Sequence, residues 1–242
     1  MQSSKEVRSS PAAMPIMPTR TCSFSLKHLC DTLRESRTTR RFLRFCEFSP
    51  DEPEEGVCLL RHDIDVSLEY AARMARYEQE IGIPATYFVR MRAASYNPLS
   101  RPGRAMLADI ERGGGEVGLH YEGIAPGEAP ETAWRRFLLE KTMLEDLVGH
   151  RVGVALHMPN RCSDFEEGAK HAAGALYDAS SEERFGGLKF VSDSNRRWRN
   201  GCICEHLSGS AGLHVLIHPI WWMKEVEDAD VVGIINGLAK GD

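Results

Sequence analysis

The sequence predicts an α/β protein built on a parallel sheet. Short runs rich in β-branched and aromatic residues alternate along the chain with amphipathic helical stripes, which is the pattern of consecutive βα units. Seven such runs fall within roughly 190 residues. This spacing favours a compact seven-stranded (β/α) barrel over an open sheet, although periodicity alone leaves the closure of the barrel open.

The first fifty residues are predicted to form a leader and one helix. Residues 1–20 contain three prolines and four serines without apolar periodicity, so we expect a disordered leader. Ser25 can cap a helix that runs to about residue 45. Arginines alternate with aromatic residues between 34 and 48, which predicts either an amphipathic helix with a solvated basic face or a surface for nucleic acid or acidic lipid. Residues 21–242 are predicted to form a single domain.

From residue 57 onward, strands and helices alternate. Strands are predicted at 57–63, 85–90, 116–120, 152–156, 175–178, 188–192 and 214–217. Helices are predicted at about 67–82, 103–112, 131–148 and 228–239. Ser67 supplies a cap for the first of these helices, and glycine at 82 and at 113–115 supplies the stop signals.

Composition narrows the possible partners and compartment. A chain of 242 residues with 42% hydrophobic content can bury one sizeable core. It has no apolar run of the ~20 residues that a membrane span needs, and no signal-peptide pattern. Seven cysteines, an odd number, favour reduced thiols and the cytoplasm. The net charge of -5, with a basic first fifty residues and an acidic remainder, argues against nucleic acid as the main partner.

Two cysteines near the C-terminus form a short motif. Cys202-x-Cys204, followed by His206, could bind a metal. A C-x-C motif without a second pair of ligands is a weak signal, so the sequence leaves this possibility open.

The end of the first βα strand carries the most informative residues. Asp63 and Asp65 lie two apart and therefore point to the same face of the strand, whereas Ile64 points to the other. Two buried carboxylates need compensation. A divalent metal would provide it, and so would a salt bridge to Arg61 or to a helix N-terminus.

Other polar residues follow the ends of later strands. His120 ends the third predicted strand, His157 the fourth, Asp193 the sixth and His218 the last. Because functional residues of parallel α/β proteins collect at the carboxyl ends of strands, these positions predict one common site. Zn²⁺ held by one aspartate and two histidines keeps a fourth position for water, which fits hydrolysis.

Five segments of the chain resemble polysaccharide deacetylases of the NodB-homology type (carbohydrate esterase family 4). In chain order they read R-H-D-I-D at 61–65, I-G-I-P-A-T-Y-F at 81–88, G-G-E-V-G-L-H at 114–120, F-V-S-D-S at 190–194 and L-I-H-P-I-W-W at 216–222. The last two resemble a divergent branch, and the resemblance covers about residues 57–222.

This resemblance implies a distorted (β/α) barrel and metal-assisted removal of an acetyl group from an N-acetylated sugar. Asp63 matches the general base of the family and Asp65 its metal-binding acid. His120 matches the first histidine of the metal motif, and His218 matches the general acid. The implied cofactor is a divalent metal, zinc first, with cobalt or nickel as alternatives.

The sequence departs from the family pattern at two places. Ile64 separates the two acids, which are usually adjacent, and Ile124 stands where the second metal histidine is expected. His157 or Glu122 could supply the third ligand, and we favour His157. The residues expected to line the substrate site are Arg61, His62, Glu122, Asp193, Trp221 and Trp222.

These observations favour a cytoplasmic metal-dependent deacetylase acting on a small or activated saccharide. One alternative is a degenerate relative that binds carbohydrate or a protein partner without catalysis, as the missing second histidine suggests. Another is a hydrolase of a different C–N bond. The two tryptophans at 221 and 222 could offer a flat surface to a sugar ring, or could simply cover the barrel mouth.

Overall fold

The computed structural model describes residues 22–51, 54–158, 174–206 and 209–223, and it contains one parallel sheet. Its seven strands are β1 (Arg41–Leu43), β2 (Val57–Ile64), β3 (Thr86–Val89), β4 (Glu116–Glu122), β5 (Val154–His157), β6 (Lys189–Ser192) and β7 (Leu213–Ile217). Their order is β5-β4-β3-β2-β7-β6, and β1 pairs with β2. Every strand pairing is parallel, so the predicted α/β architecture is confirmed.

Apart from two four-residue α-helices at Glu182–Phe185 and Ile220–Met223, the described chain contains four α-helices, and serine caps start three of them. They are α1 (Leu26–Ser36), α2 (Leu68–Glu80), α3 (Arg101–Arg112) and α4 (Pro130–Val148). Ser25, Ser67 and Ser100 each accept a hydrogen bond from a backbone N–H of the first turn. Helix α4 ends at Gly149, whose φ of 80° is the left-handed conformation that glycine adopts without strain.

The sheet separates two hydrophobic cores, because both of its faces are covered. All eight residues of β2 are buried, and they alternate between the faces. Cys58 and Leu60 pack on the outer face against the helices, whereas Val57 and Leu59 pack on the inner face. The inner core draws residues from strands, connections and the segment before β6: Phe45, Phe48, Val57, Leu59, Phe88, Ala155, Tyr177, Ala179, Phe185 and Leu188.

A sheet must curl to enclose a core of this kind. Asp178 extends it beyond β5 through a single parallel bridge to Val154, and the chain then passes the inner core before entering β6 at the opposite edge. The predicted distorted (β/α) barrel is therefore confirmed, in the form of a half-closed parallel sheet around an inner core. On the inner face, aromatic side chains lie near the amino ends of the strands and polar side chains lie near their carboxyl ends.

The N-terminal part differs from the predicted helix over 25–45. Helix α1 stops at Ser36, and the chain then forms β1 and a 3-10 turn, Phe45–Glu47. Arg40 does not lie on a solvated basic face: it is buried and donates to the backbone carbonyls of His206, Gly209 and Ala211. The aromatic residues that suggested an amphipathic helix instead close the inner core.

The strand set differs from the prediction in two places. The run at 175–178 contributes only the bridge at Asp178, while β1, which was not predicted, pairs with the start of β2. The predicted leader at 1–20 and the last helix at about 228–239 lie outside the described residues, so a single domain over 21–242 stays a prediction. Among the helices that the structure describes, none combines the length and apolarity needed to cross a bilayer.

Candidate active site

Polar side chains from four strands converge at one mouth of the sheet. Asp63 and Asp65 stand at the end of β2, His120 on β4, His157 at the end of β5 and His218 directly after β7. They line a cavity of about 670 Å³ together with Arg61 and Trp221. Period-two alternation explains the grouping, because each of these strands presents its polar residue to the inner face.

Three of these residues bring one donor atom each to a common point. The Nε2 atom of His120 lies 3.0 Å from Nδ1 of His157. The Oδ1 atom of Asp65 lies 3.2 Å from the same His157 nitrogen and 3.5 Å from Nε2 of His120. Ligands at 2.0–2.1 Å around a tetrahedral ion stand about 3.3 Å apart, so the triangle has the size of a zinc site. We call these three residues the inner cluster.

The hydrogen bonds around the inner cluster leave its three potential metal-ligating atoms facing one another. Nδ1 of His120 lies 3.0 Å from the carbonyl oxygen of Ala155 and must donate to it, so Nε2 of the neutral ring carries a lone pair. Oδ1 of Asp65 is buried and accepts no hydrogen bond of acceptable geometry in the described part of the chain. The 3.0 Å contact between the two histidine nitrogens is a hydrogen bond when Nδ1 of His157 carries its proton, and a metal ion would take the place of that proton. The inner cluster therefore fits a divalent metal.

The ionisation states also suit a metal. Burial raises the pKa of Asp65, but the neighbouring rings of His120 and His157 outweigh it and hold the pKa well below its usual value. Burial lowers the pKa of His157. At neutral pH the cluster thus contains a carboxylate anion and a neutral imidazole at His157, which are the forms that bind metals.

Asp63 lies beside the inner cluster and is held by Arg61. The guanidinium donates from Nε to Oδ1 at 2.7 Å and from Nη2 to Oδ2 at 2.9 Å, and it stacks over the Phe88 ring. Oδ2 also lies 3.5 Å from Nε2 of His120. Burial raises the pKa of Asp63, but the charge of Arg61 outweighs it and the net shift is downward, so the residue is an anion. Arg61 lines the cavity, but its Nε and Nη2 groups already donate to Asp63 and are not available to a substrate.

His218 faces the inner cluster from the opposite side and is held by Asp193. Its Nδ1 donates to Oδ1 of Asp193 at 2.6 Å, and its Nε2 lies 3.7 Å from Oδ2 of Asp65. Burial lowers the pKa of His218, but the Asp193 charge and hydrogen bond outweigh it and raise the pKa to about 9. The imidazole is therefore a cation at neutral pH, with its Nε2 proton directed into the cavity.

Three of the expected substrate residues have other roles. Asp193 is fully buried and also accepts from the Trp222 indole at 2.7 Å, so it positions His218 and does not reach substrate. Trp222 is buried against Phe24, with ring centroids 5.0 Å apart. His62 lies on the outer face of β2, fully buried, with Nε2 2.7 Å from Oε1 of Glu78. Burial and, for His62, the alternation of β2 weigh against substrate binding by these three residues, which stays a prediction.

Of the other two expected substrate residues, Trp221 lines the cavity and Glu122 is not among the lining residues. Glu122 ends β4 and forms ion pairs with Arg90 and Arg92, so its carboxylate is turned away from the inner cluster and is not the third donor. The contact of both residues with a substrate stays a prediction.

Sequence reasoning missed several cavity residues. His214 lies on the inner face below His218, where burial and the Arg61 charge lower its pKa to about 3 and keep the ring neutral. Alternation along L-H-V-L-I-H at 213–218 places it on the same face as His218, so the signal was present. Ser194, Asn195 and Arg199 also line the cavity from the turn after β6. No periodic pattern marks that turn.

Several solved structures are similar to this chain. No family model and no curated protein matches the chain. The chitin deacetylase of the fungal pathogen Colletotrichum lindemuthianum matches at 14% identity and a TM-score of 0.48, covering 78% of this chain and 83% of that one. The peptidoglycan deacetylase PdaC of Bacillus subtilis matches at 17% identity and a TM-score of 0.47, covering 73% and 79%.

A third solved structure is a CE4 family pseudoenzyme from Bacillus anthracis. It matches at 15% identity and a TM-score of 0.45, covering 80% of this chain and 66% of that one. The chain is thus similar in structure to members of the family that its motifs resemble. Because the identities and TM-scores are low, the description of the fold depends on the strand pairing and cores given above. The description of the site depends on the distances and hydrogen bonds within it.

Proposed function

We propose that the protein is a metal-dependent hydrolase that removes an acetyl group from an N-acetylated sugar. The observation that carries the proposal is the meeting of three kinds of group in one cavity. The inner cluster supplies ligands, Asp63 supplies an anion and His218 supplies a cation with a proton to donate. Amide hydrolysis needs these three functions together.

Asp65, His120 and His157 would hold the metal. Zinc is the first choice because one carboxylate and two imidazoles are a hydrolytic zinc ligand set, and cobalt and nickel suit the same donors. When bound, the metal would supply Lewis acidity, which polarises a carbonyl group and acidifies a water molecule. Three protein ligands leave coordination positions for water and substrate, as a catalytic site requires.

Asp63 and His218 are assigned opposite roles in proton transfer. Asp63 is ionised and beside the cluster, so it accepts the proton of the attacking water while that oxygen bonds to the acetyl carbon. His218 is protonated and stands across the cluster, so it donates to the nitrogen as the C–N bond breaks. The products are acetate and the free amine of the sugar, and the proton taken by one residue balances the proton given by the other.

Arg61 and Asp193 position these two groups. The bidentate contact of Arg61 fixes the Asp63 carboxylate and keeps it anionic. It also weakens the base, a cost that is offset if the attacking water is itself acidified. Asp193 fixes the His218 ring and holds its proton.

A saccharide is the proposed substrate because the cavity combines apolar and polar walls. Trp221 and Leu216 offer apolar surface, and Ser194, Asn195 and Arg199 offer hydrogen-bonding groups. Pockets of this composition suit a sugar ring with hydroxyl groups at its edge. The cytoplasm is proposed as the compartment, supported by the odd number of cysteines.

A third donor at His157 weighs against the degenerate, non-catalytic alternative. That alternative rested on Ile124 standing where a second metal histidine is expected. His157 now supplies a nitrogen within 3.2 Å of the Asp65 carboxylate, so a third donor exists without a residue at 124.

The test is acetate release by metal-reconstituted protein. Purified protein is stripped with a chelator, reloaded with zinc, cobalt or nickel, and supplied with N-acetylglucosamine and its oligomers. We expect acetate with at least one metal, none from the stripped protein, and release slowed by roughly 10²–10⁴-fold in Asp63→Asn. If the protein binds metal through the inner cluster but releases no acetate from any of these sugars, the deacetylase assignment is wrong and another C–N bond becomes the target.

A further inference from the structure

Four potential metal ligands meet on the outer side of the barrel, away from the cavity. Cys22 and His28 flank the start of α1, and Cys202 and Cys204 stand at the turn before β7. One donor atom from each lies within 4.8 Å of every other. We propose that this outer cluster is a second metal site, which binds zinc for a structural purpose.

The distances within the outer cluster suit tetrahedral coordination. Sγ of Cys22 lies 3.1 Å from Sγ of Cys204, and Nε2 of His28 lies 3.4 Å from Sγ of Cys202. With Zn–S near 2.3 Å and Zn–N near 2.0–2.1 Å, the edges of a tetrahedron measure about 3.5–3.8 Å. The two short contacts differ from these edges by about 0.1–0.7 Å and the other pairs lie within 4.8 Å, so shifts of up to about 1 Å would convert the cluster into a coordination sphere.

The ligand set indicates what the site does. Three thiolates and one imidazole complete four-coordination, so no position is left for water or substrate. Closed sites of this composition stabilise structure, in contrast to the inner cluster with its three ligands. Thiolates also select zinc over hard cations such as magnesium or calcium.

Local structure prepares both halves of the outer cluster. His28 lies in the first turn of α1, where its backbone N–H is fixed by the Ser25 cap. Cys202 and Glu205 exchange two hydrogen bonds of 2.8 and 2.9 Å around the turn that carries Cys204. His206, the third member of the sequence motif, is turned away and lies 2.7 Å from the Asn200 carbonyl through Nε2. The ligand that the motif lacked comes from the other end of the chain.

A metal here would join two segments that are about 180 residues apart in the chain. These segments contact the residues that support the active site. Phe24, two residues after Cys22, packs on Trp222 with centroids 5.0 Å apart and on Trp198 at 5.9 Å. Trp222 in turn donates to Asp193, the partner of His218. Fixing Cys22 and His28 to the 202–204 turn therefore holds Phe24 over the tryptophan that supports this pair.

Cobalt substitution tests the outer cluster independently of the inner one. Cobalt bound to thiolates gives a sulfur-to-cobalt charge-transfer band, and the inner cluster contains no sulfur. We expect full-length protein, purified under reducing conditions and reloaded with cobalt, to show this band and to hold two metal ions per chain. Asp65→Ala should reduce the content to one ion and keep the band.

Cysteine variants complete the test. The double variant Cys202→Ser/Cys204→Ser should lose the band and one metal ion, whereas Cys46→Ser, which removes an exposed thiol outside the outer cluster, should keep both. No band in the wild-type protein, or a band of unchanged intensity in the double variant, would overturn the proposal. Failure of deacetylation would leave it standing, because neither readout measures turnover.

A measurement on the unmodified protein covers the case in which the double variant does not fold. Alkylation followed by peptide mapping should find Cys22 and Cys204, the accessible thiols of the outer cluster, protected in zinc-loaded protein and reactive after chelation, with Cys46 equally reactive in both. Equal labelling with and without zinc would overturn the proposal. So would a Cys22–Cys204 disulfide in protein that has been kept reduced and zinc-loaded, since those thiols would then not be ligands.

Discussion

The inner cluster offers three metal-ligating atoms and the outer cluster four. The two clusters differ in the softness of these ligands, in whether they complete a tetrahedral coordination sphere, and in the residues around them. The inner cluster has one carboxylate and two imidazoles, opens into a cavity and is flanked by Asp63 and His218. The outer cluster has three sulfurs and one imidazole and joins two distant segments of chain. Coordination that is incomplete and surrounded by proton donors and acceptors serves chemistry, whereas complete coordination serves the fold.

Their origins in the chain differ as well. The inner cluster draws its ligands from strand ends, so its geometry is set by the register of the sheet. The outer cluster draws them from a helix start and a loop turn, where the metal itself would fix the geometry. Removing metal should therefore abolish activity at one cluster and loosen the structure at the other.

The largest expected effect is at the inner cluster. Asp65→Ala or His120→Ala removes one of three ligands, so the inner metal and acetate release should both be lost while the fold survives. Elemental analysis and circular dichroism measure the two parts. His150→Ala is the matched control, because His150 is an exposed histidine paired with Glu111 outside the site. Full inner-metal content in both variants would remove the assignment.

Asp63→Asn should separate turnover from metal binding. The change keeps the shape but removes the proton acceptor, which should lower kcat by roughly 10²–10⁴-fold. Metal content should be unchanged, since Asp63 is not a member of the inner cluster. The variant leaves the buried Arg61 guanidinium without an anion, so its melting temperature should be measured beside its rate. Near wild-type turnover would show that another group is the base.

The His218–Asp193 pair should set the alkaline limb of the pH–rate profile. His218 acts as a cation, so activity is lost as pH rises through its pKa of about 9, or somewhat below because a bound metal ion opposes protonation. Asp193→Asn removes the anion and lets the pKa fall toward about 6.5, which should lower activity about tenfold at pH 7.5. The limb should move to lower pH, and an unmoved limb would assign it to a different group.

A smaller effect on activity is expected at the outer cluster. Cys202→Ser/Cys204→Ser should lower the melting temperature by about 2–4 °C for each kcal/mol of unfolding free energy lost. Any loss of kcat should follow from loosening of Phe24 and Trp222, and so stay well below that of Asp63→Asn. Differential scanning calorimetry with and without chelator measures the first part. If the chelator lowered the melting temperature of the double variant as much as that of the wild-type protein, the prediction would be contradicted.

The smallest effect on activity is expected on the outer face of β2. His62→Gln disturbs a buried pair with Glu78, which should cost about 1–3 kcal/mol of stability. The variant should keep kcat and KM per folded molecule, since the side chain points away from the cavity. A large rise in KM without loss of stability would restore a substrate role for His62.

Local pattern alone located the strands and much of the inner face. Alternation along each strand and the rule that strand ends carry function brought Asp63, Asp65, His120, His157 and His218 to one rim, where the structure also finds them. The same alternation places His62 on the face opposite Asp63 and His214 on the same face as His218, so the sequence already contained this information. Periodicity is a local property, and a strand obeys it wherever it lies.

Only the tertiary structure decided the features that depend on distant contacts. Helix α1 ends early because Arg40 finds carbonyls near residue 209 and Phe45 finds the inner core, and neither partner is visible in the local pattern. Asp193 became a positioning residue because His218 and Trp222 enclose it. The outer cluster joins Cys22 and His28 to Cys202 and Cys204 across most of the chain. Packing free energy selects such pairings only after the sheet has curled, so no spacing along the sequence encodes them.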